Sequence, residues 1–311
     1  MSAARLLPAP VRRYARRSVR LFRRTYRTVS NIPRYRDLDM DCGVTVNVDM
    51  WHRNWYQVFQ KGYHEQDVEK FITGLLQPGD VVFDVGAQIG MFTAIASQLI
   101  GPDGRLIAFE PDEKNHRDLQ STRQRNKLDN VSIINAGLSD SIGEATFHRP
   151  DGAWGSFMDS GNGAGARITR DFFQNTTIRT FTIQTTTIDH VVAERELERL
   201  DLIKIDVDGP EVTILRGAEQ TLRTLKPVVM VEASRFYQEH GTSVDELFSI
   251  LQRNGYEIYG TIRNGESARL MTSPADIDND LSAVGSAMNF FCVVPGTYDS
   301  RWKDLWFMQE G

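Results

Sequence analysis

The chain has 311 residues, 41% of them hydrophobic and 25% charged, a composition typical of a globular protein with a substantial core. Its two cysteines, Cys42 and Cys292, exclude a disulfide framework and a cysteine-based metal site, and they favour a reducing, cytoplasmic location. The formal net charge is −5, but residues 1–36 contain eleven arginines and no acid, which leaves 25 bases against 41 acids in the rest. Such an acidic body is not expected to bind nucleic acid.

Residues 1–40 are predicted to form a basic amphipathic segment. Between Val11 and Val29, apolar residues recur at helical spacing and arginines fill most of the other positions, a pattern typical of an amphipathic helix. The segment has no apolar stretch long enough for a secretory signal or a membrane span. Three roles fit residues 1–36: binding to an anionic membrane surface, docking on this protein's acidic body or on a protein partner, or targeting to an organelle as a mitochondrial-like transit segment.

Residues 41–75 are predicted to form an aromatic-rich cap in front of the main domain. Residues 45–49 alternate between apolar and polar side chains, as a short strand does. Five aromatic residues follow within residues 51–63. They are expected to pack a helix onto the domain, and the alternative is that they line a substrate pocket. A helix is predicted over residues 67–76.

From residue 76 onward, strands and helices alternate, which predicts a doubly wound parallel α/β sheet. The first half contains predicted strands 81–85, 105–109 and 131–136 and predicted helices 91–100 and 112–126. The second half contains predicted strands 202–205, 227–231, 257–260 and 289–294 and predicted helices 212–225 and 244–254. The fold class is therefore α/β, with a seven-stranded, mostly parallel, Rossmann-like sheet over residues 76–296 and a C-terminal tail over residues 297–311.

The alternation of strands and helices is interrupted between about residues 140 and 200. Residues 144–148 and 177–187 have strand-like patterns, and five glycines lie between them in residues 152–165. This segment is predicted to be a β-rich insertion that closes over one edge of the site. Its glycine-rich loop fits either a functional lid or a loop without such a role.

A glycine turn follows the first predicted core strand and carries most of the functional information. The turn contains Gly86 and Gly90 but neither the Lys-Ser/Thr of a phosphate-binding loop nor the third glycine of a dinucleotide fingerprint. Asp84, two residues before Gly86, would repel a pyrophosphate and attract a cationic amino-acid group. Glu110 ends the next strand, where a carboxylate can accept hydrogen bonds from a ribose diol. S-adenosylmethionine contains both chemical groups.

Several segments in fixed order resemble the FkbM family of S-adenosylmethionine-dependent methyltransferases, over roughly residues 62–295. The matching segments are 78–80 (PGD), 84–90 (DVGAQIG), 109–111 (FEP), 135–140 (NAGLSD), 186–189 (TTID), 201–211 (DLIKIDVDGPE) and 231–232 (VE). The family usually has Asn in place of Gln88 and Glu in place of Asp208. Both replacements keep the functional group and change its reach by one methylene.

The resemblance implies a class I methyltransferase fold and a set of cofactor-binding residues. Asp84, Gly86 and Gly90 would hold the methionine end, Glu110 the ribose hydroxyls, and the stretch from Ala136 to Asp140 the adenine. The complete set of implied cofactor-binding residues is Asp84, Gly86, Ala87, Gln88, Gly90, Glu110, Pro111, Ala136, Ser139 and Asp140.

The resemblance also implies transfer of a methyl group to a hydroxyl of a small metabolite, sugar or polyketide. Asp206 is expected to act as a base or to orient the substrate, assisted by Lys204, Asp208, Glu211 or Glu232. Alternatively, Lys204 pairs with a neighbouring acid and Glu211 favours the start of its helix. A divalent cation on Asp206 and Asp208 is possible but not required.

Two other functions compete with methyl transfer. A binding or assembly protein that keeps the fold without catalysis would fit the unusual Gln88 and Asp208. A metal-dependent glycosyltransferase would use the Asp206-x-Asp208 pair. The glycine turn argues against the glycosyltransferase.

Overall fold

The computed structural model describes residues 35–40, 43–50, 66–150, 157–159, 177–234, 237, 240–262, 267–284, 287–298, 301 and 305. The predicted N-terminal helix and the aromatic stretch over residues 51–63 lie outside the described residues, as does most of the glycine-rich loop. Among the helices that are described, none has the length and apolar character needed to cross a membrane.

Strands and helices alternate along most of the described chain. The first half contains β1 (Tyr35–Asp39), β2 (Thr45–Asp49), α1 (Gln66–Leu75), β3 (Val81–Val85), α2 (Met91–Ile100), β4 (Arg105–Phe109), α3 (Glu113–Arg125), β5 (Val131–Ile134), β6 (Gly137–Leu138), β7 (Gly143–Pro150) and β8 (Phe157–Asp159). The second half contains β9 (Ile178–Thr186), α4 (Ile188–Glu194), β10 (Leu202–Ile205), α5 (Glu211–Arg216), α6 (Glu219–Thr224), β11 (Val228–Ser234), α7 (Val244–Arg253), β12 (Glu257–Ile262), β13 (Ser267–Met271), α8 (Pro274–Val284) and β14 (Ala287–Val293).

The main sheet has the strand order β13-β12-β14-β11-β10-β3-β4-β5. The five strands from β11 to β5 pair in parallel, whereas the β11–β14, β14–β12 and β12–β13 pairs are antiparallel. A large, mostly parallel α/β sheet is therefore confirmed. The predicted count of seven strands is wrong, because β13 adds an eighth strand at the edge. Its sequence, SARLM, has neither β-branched nor aromatic residues, so it carried no strand signal.

The order of the strands determines where a ligand can bind. After β3 the chain moves outward to β4 and β5, and it later returns to the opposite side of β3 with β10. In a doubly wound sheet, such a reversal opens a crevice beyond the carboxyl ends of the two central strands. In this protein, the crevice lies beyond Val85 and Ile205, which are register partners at the ends of β3 and β10.

Two apolar layers cover the faces of the main sheet. Alternate residues of the central strands point into different clusters, for example Val82 and Leu202 into one and Phe83 and Ile203 into the other. Helices therefore cover both faces, as a parallel sheet requires. The predicted helix over residues 212–225 is interrupted in the structure. It forms α5 and α6, separated near Gly217, where a Cβ would lie 2.1 Å from the Ser139 carbonyl oxygen.

The segment after β5, where the alternation of strands and helices is interrupted, forms a second sheet. Its strand order is β6-β9-β7-β8, and β7 and β9 pair over eight residues. The predicted strands 144–148 and 177–187 correspond to β7 and β9. A small apolar cluster of Phe147 and Ile183, packed against Ala145 and Phe181, lies within this sheet and is separate from the two main clusters.

The predicted boundary at residue 40 falls between two paired strands, β1 and β2. Strands β1 and β2 pair over five residues, and their buried side chains belong to the same apolar cluster as Phe71 of α1. This pair of strands also contacts α3, since Arg125 pairs with Asp37 at 2.7 Å and the Thr45 N–H donates to Asn126 Oδ1 at 2.8 Å. The buried side chains of β1 and β2 are thus part of the main core.

The predicted boundary at residue 297 also separates groups that contact each other. Arg301 donates to the buried Asp80 carboxylate at 2.7 Å, and the Tyr298 hydroxyl lies 3.3 Å from Asp201 Oδ1. Leu305 is 1% exposed and packs against Gly74, where a Cβ would come within 2.7 Å of its Cδ2 atom. The described residues Tyr298, Arg301 and Leu305 therefore pack onto the domain, on the side where the parallel strands begin.

Replacing Leu305 with Ala tests this packing. We expect the substitution to lower the free energy of unfolding by about 2–5 kcal/mol, the range observed for buried leucines. Leu270→Ala is the matched control, because Leu270 is 42% exposed on β13 and should cost less than about 0.5 kcal/mol. Both values can be measured by urea unfolding. Equal effects would contradict the packing of Leu305 against Gly74.

Candidate active site

The glycine turn after β3 brings the ends of β3 and β10 into contact. Gly86 has a φ of 84°, a conformation that favours glycine, and a Cβ at this position would lie 2.1 Å from the Asp206 carbonyl oxygen. Gly90 has a φ of 88° and packs against Leu119 of α3. Both glycines are therefore required by backbone conformation and by close approach.

Glu110 lies directly after β4, with its side chain at the crevice. Its Oε2 atom accepts the Gln88 N–H at 2.8 Å, and its Oε1 atom accepts the Asp112 N–H at 2.9 Å. Burial raises the pKa of Glu110 to about 7, although these two hydrogen bonds act in the opposite direction. The backbone therefore fixes the orientation of the carboxyl group, and each oxygen keeps capacity for a further donor.

An open cleft lies at the carboxyl ends of the central strands, and its empty space, including the part open to solvent, is about 580 Å³. Most of its wall is apolar, and the polar side chains of Gln88, Glu110, Asn115, Asp206 and Asp208 lie along it. The apolar side chains come from both sheets and from the segments between them. They belong to Val85, Phe109, Pro111, Ala136, Leu138, Phe147, Val207, Pro210 and Ile214. A mostly apolar cleft with a few polar groups is typical of a small-molecule site.

A buried charge network lies beneath the cleft. Lys204 and Asp84 are register partners on β10 and β3, and the Lys204 Nζ atom lies 3.7 Å from Asp84 Oδ1. The same ammonium group donates to Asp206 Oδ2 at 3.0 Å. Burial raises the pKa of Asp84, while Lys204 and a hydrogen bond from Thr93 act to lower it. Lys204 therefore lies between two carboxylates, which offsets part of their desolvation.

Two further acids lie in the loop after β10. Asp208 lines the cleft, and burial together with the negative charge of Asp206 raises its pKa to about 7. Glu211 is fully buried, and its Oε1 atom accepts the Gly209 N–H at 2.8 Å. Burial raises the pKa of Glu211 to about 8, so its carboxyl group is mostly protonated at neutral pH.

The structure brings only part of the predicted set to the cleft. The predicted residues that line it are Gly86, Gln88, Glu110, Pro111, Ala136, Asp206 and Asp208. Asp84, Ala87, Gly90, Lys204 and Glu211 are buried and are not among its lining residues. They can hold the lining residues in position, as Lys204 does by donating to Asp206.

Three predicted residues lie elsewhere. Ser139 and Asp140 are not among the lining residues, and Asp140 is exposed, 3.9 Å from Arg216. Glu232 does not end its strand, because β11 continues to Ser234, and it is the register partner of Asn289. These placements give no support to direct contact of these three side chains with a ligand in the cleft.

The two departures from the family's usual residues share one backbone feature. Gln88 has a φ of 50° and Asp208 a φ of 60°, both in the left-handed region. Asn and Asp adopt this region more readily than other side-chain-bearing residues. Asp208 therefore suits its conformation better than Glu would, whereas Gln88 suits it less well than Asn. The backbone N–H of Gln88 reaches Glu110 nevertheless.

Sequence reasoning missed two informative lining residues. Asn115 lies in the first turn of α3, with its Nδ2 atom 3.5 Å from Glu110 Oε1. The predicted helix over residues 112–126 put Asn115 in the first turn after the Glu110 strand, which is the signal that could have identified it. Phe147 lines the cleft from β7, although the insertion was predicted to cover one edge of the site without a named residue. Strand alternation alone could not decide which face of β7 points toward the cleft.

The described residues also bear on the suggested metal site. In this part of the chain, no three His, Cys, Asp or Glu side chains are grouped so that they could hold a metal ion. The pair of Asp206 and Asp208 therefore gains no third ligand of these types there.

Fold and cleft together define a Rossmann-like α/β protein with its cleft at the topological switch point, where proteins of this class bind their ligands. The sequence profile of the methyltransferase FkbM domain matches residues 84–258, which is more than half of the chain and includes every residue that lines the cleft. The protein belongs to the FkbM methyltransferase family.

Curated relatives are similar to parts of this chain. AMB antimetabolite synthetase AmbE of Pseudomonas aeruginosa is 28% identical over 210 residues, which cover 59% of this chain and 10% of AmbE. Hexuronic acid methyltransferase AglP of Haloferax volcanii is 28% identical over 53% of this chain and 61% of AglP. 2-O-methyltransferase NoeI of Sinorhizobium fredii is 24% identical over 58% of this chain and 74% of NoeI. The chain thus spans less than two thirds of the length of the first two.

Glu211→Gln tests the buried, protonated carboxyl group. Burial raises the pKa of Glu211 from 4.5 to about 8. The contribution of this carboxyl group to the free energy of unfolding is therefore fully present below pH 4.5 and is lost as pH rises through 8. Glutamine is neutral at every pH, so the variant should not show this loss. We expect the free energy of unfolding of the variant, minus that of the wild type, to be at least ~1 kcal/mol higher at pH 8.5 than at pH 5.

Urea unfolding of both proteins at these two pH values measures the effect. The matched control is Glu113→Gln, because the Glu113 side chain is 78% exposed. Parallel pH profiles for wild type and Glu211→Gln would contradict the assignment of a neutral carboxyl group.

Proposed function

We propose that this protein is an S-adenosylmethionine-dependent O-methyltransferase that acts on a hydroxyl of a sugar or another small hydroxylated metabolite, such as a polyketide. The observation that carries the proposal is the Glu110 carboxyl group. Two backbone N–H groups hold it at the cleft, next to a largely apolar wall. Membership of a methyltransferase family agrees with this reading.

The residues of the cleft fit this methyl donor. Glu110 has acceptor capacity for the two hydroxyls of a ribose, and Asn115 adds an amide beside it. Phe109, Ala136 and Phe147 offer apolar surface for an adenine ring. Gly86, which has no side chain, lets the turn pass close to the Asp206 carbonyl oxygen and lines the part of the cleft proposed for the amino-acid end. The buried Asp84–Lys204–Asp206 network lies behind that end of the cleft.

When bound, the cofactor supplies an activated methyl group on a sulfonium, so the remaining tasks of the protein are alignment and proton removal. We assign proton removal to Asp208, which lines the cleft and has a pKa raised by burial to about 7. Asp206 is bound by Lys204 at 3.0 Å, so we assign it a role in orienting the acceptor hydroxyl. Asp208 would accept the proton of the acceptor hydroxyl; as the oxygen–methyl bond formed, the bond from that methyl carbon to the sulfonium sulfur would break and S-adenosylhomocysteine would leave.

The relatives support the class of acceptor. AglP is described as a hexuronic acid methyltransferase and NoeI as a 2-O-methyltransferase. The carboxylates of Asp206 and Asp208 are hydrogen-bond acceptors, which suits an acceptor molecule that carries several hydroxyl groups.

Glu110→Gln tests the cofactor site. The amide NH₂ group would face one of the two backbone N–H donors, so we expect S-adenosylmethionine and S-adenosylhomocysteine to bind about 10- to 100-fold more weakly. Isothermal titration measures both affinities. Asp140→Asn is the matched control, because the exposed Asp140 is outside the cleft lining, and its affinity should equal that of the wild type. Unchanged binding in Glu110→Gln would remove the assignment of this carboxylate to the ribose.

Asp208→Asn tests proton removal. We expect kcat to fall by about 10²- to 10⁴-fold, the usual contribution of a general base, with little change in cofactor affinity. Asp208→Glu, which introduces the family's usual residue, should keep most of the activity. In the wild type, kcat/KM should rise with pH up to about 7 and then level off, because the base must be deprotonated. Full activity in Asp208→Asn would show that another group accepts the proton.

The same assays separate the competing functions. Cofactor binding without formation of S-adenosylhomocysteine, over a broad panel of hydroxylated acceptors, would favour a non-catalytic binding or assembly protein. The less favourable left-handed conformation of Gln88 is the observation that motivates this alternative. Manganese-dependent binding of a sugar nucleotide, without binding of S-adenosylmethionine, would favour the glycosyltransferase.

A further inference from the structure

The second sheet is attached to the main body at one end of its strands. Its first strand, β6, follows β5 after two residues, and Leu138 packs into a main apolar cluster. The β7–β9 pairing begins beside β6, with Gly143 opposite Thr185, and ends with Pro150 opposite Ile178. Seven residue steps of about 3.4 Å separate the two ends of this pairing. A contact near the Pro150 end would hold that end against the body.

Arg149 provides such a contact near that end. Its Nη1 atom lies 2.6 Å from both carboxylate oxygens of Asp112. Asp112 is fully buried, and its Oδ1 atom also caps α3 by accepting the Lys114 and Asn115 N–H groups. Burial of a carboxylate costs free energy unless the group is paired and hydrogen-bonded. The guanidinium of Arg149 supplies the charge partner that offsets this cost for Asp112.

The same strand carries a residue of the cleft wall. Phe147 precedes Arg149 by two positions, so both side chains lie on the same face of β7. Phe147 lines the cleft and packs against Phe181 of β9, with 5.4 Å between ring centroids. The Arg149 guanidinium also lies over the Phe181 ring, at 5.4 Å from its centroid. Asp112, in turn, donates its N–H to Glu110, so the ion pair joins the wall residue to the carboxylate proposed to bind the ribose.

We propose that Arg149 is a positioning residue that docks the second sheet against the body as one wall of the cofactor cleft. Docking of the sheet and binding of the adenosine part of the cofactor are then coupled, because each places Phe147 against the cleft. The coupling is reciprocal: a bound cofactor stabilises the docked sheet to the same degree that docking strengthens binding. The proposal rests on the proposed function, since it takes S-adenosylmethionine as the ligand.

A double-mutant cycle tests the ion pair. Arg149→Met removes the cation, and Asp112→Asn removes the charge while keeping a good N-cap residue. We expect each single variant to bind S-adenosylhomocysteine about tenfold more weakly, within the usual range of coupling between sites, and the double variant to lose little more. Arg149→Lys should recover part of the affinity. The matched control is Arg117→Met, whose side chain is 68% exposed on α3.

Hydrogen exchange supplies a readout that a general loss of stability would not reproduce. In the wild type, S-adenosylhomocysteine should slow amide exchange in β7 and β9 as well as around the glycine turn. In Arg149→Met at saturating ligand, we expect slow exchange around the turn to persist and the effect on β7 and β9 to disappear. Thermal unfolding of each variant gives its overall stability.

The possible outcomes distinguish two failures. If the wild type binds S-adenosylhomocysteine and Arg149→Met binds it equally well with unchanged exchange in β7 and β9, the coupling is wrong and the proposed function stands. If the wild type binds neither S-adenosylmethionine nor S-adenosylhomocysteine, the proposed function fails and the coupling fails with it. Additive losses in the double variant would show that Arg149 and Asp112 act separately, which would also overturn the proposal.

Discussion

The close approach of two strand ends is the constraint on which the rest of the site depends. The carbonyl oxygen of Asp206 lies so near Gly86 that a Cβ there would be 2.1 Å away. This contact holds the end of β3 beside the end of β10, at the point where the strand order reverses. Consequently, the glycine turn, the loop that carries Asp208 and the carboxylate of Glu110 face one cleft.

Burial of acids at these strand ends governs the chemistry of the site. Glu110, Asp208 and Glu211 have raised pKa values, and in each case desolvation is the largest cause. The acids of the site have different partners. Glu110 and Glu211 accept backbone N–H groups, whereas the neighbouring Asp206 is paired with Lys204. Burial therefore favours the neutral form of the Glu110, Asp208 and Glu211 carboxyl groups more than water would.

The second sheet completes the cleft from a distant part of the chain. Phe147 forms part of the wall, and the Arg149–Asp112 ion pair connects its strand to the capped start of α3. The Tyr298 and Arg301 contacts lie at the opposite end of the parallel strands, around Asp80 and Asp201. Charged contacts thus attach additional segments at both ends of the sheet, while apolar packing forms its two layers.

The sequence by itself determined the α/β alternation, the positions of the central strands and the pairing of the glycine turn with Glu110. These features depend on local patterns: apolar runs, the conformational freedom of glycine and the acid that follows a strand. Only the tertiary structure decided that Asn115 and Phe147 line the cleft, that Ser139, Asp140 and Glu232 do not, and that an eighth strand extends the sheet. Local pattern does not specify which face of β7 packs against the main body or which acidic side chains become buried. These properties arise from contacts between residues that are far apart in the chain.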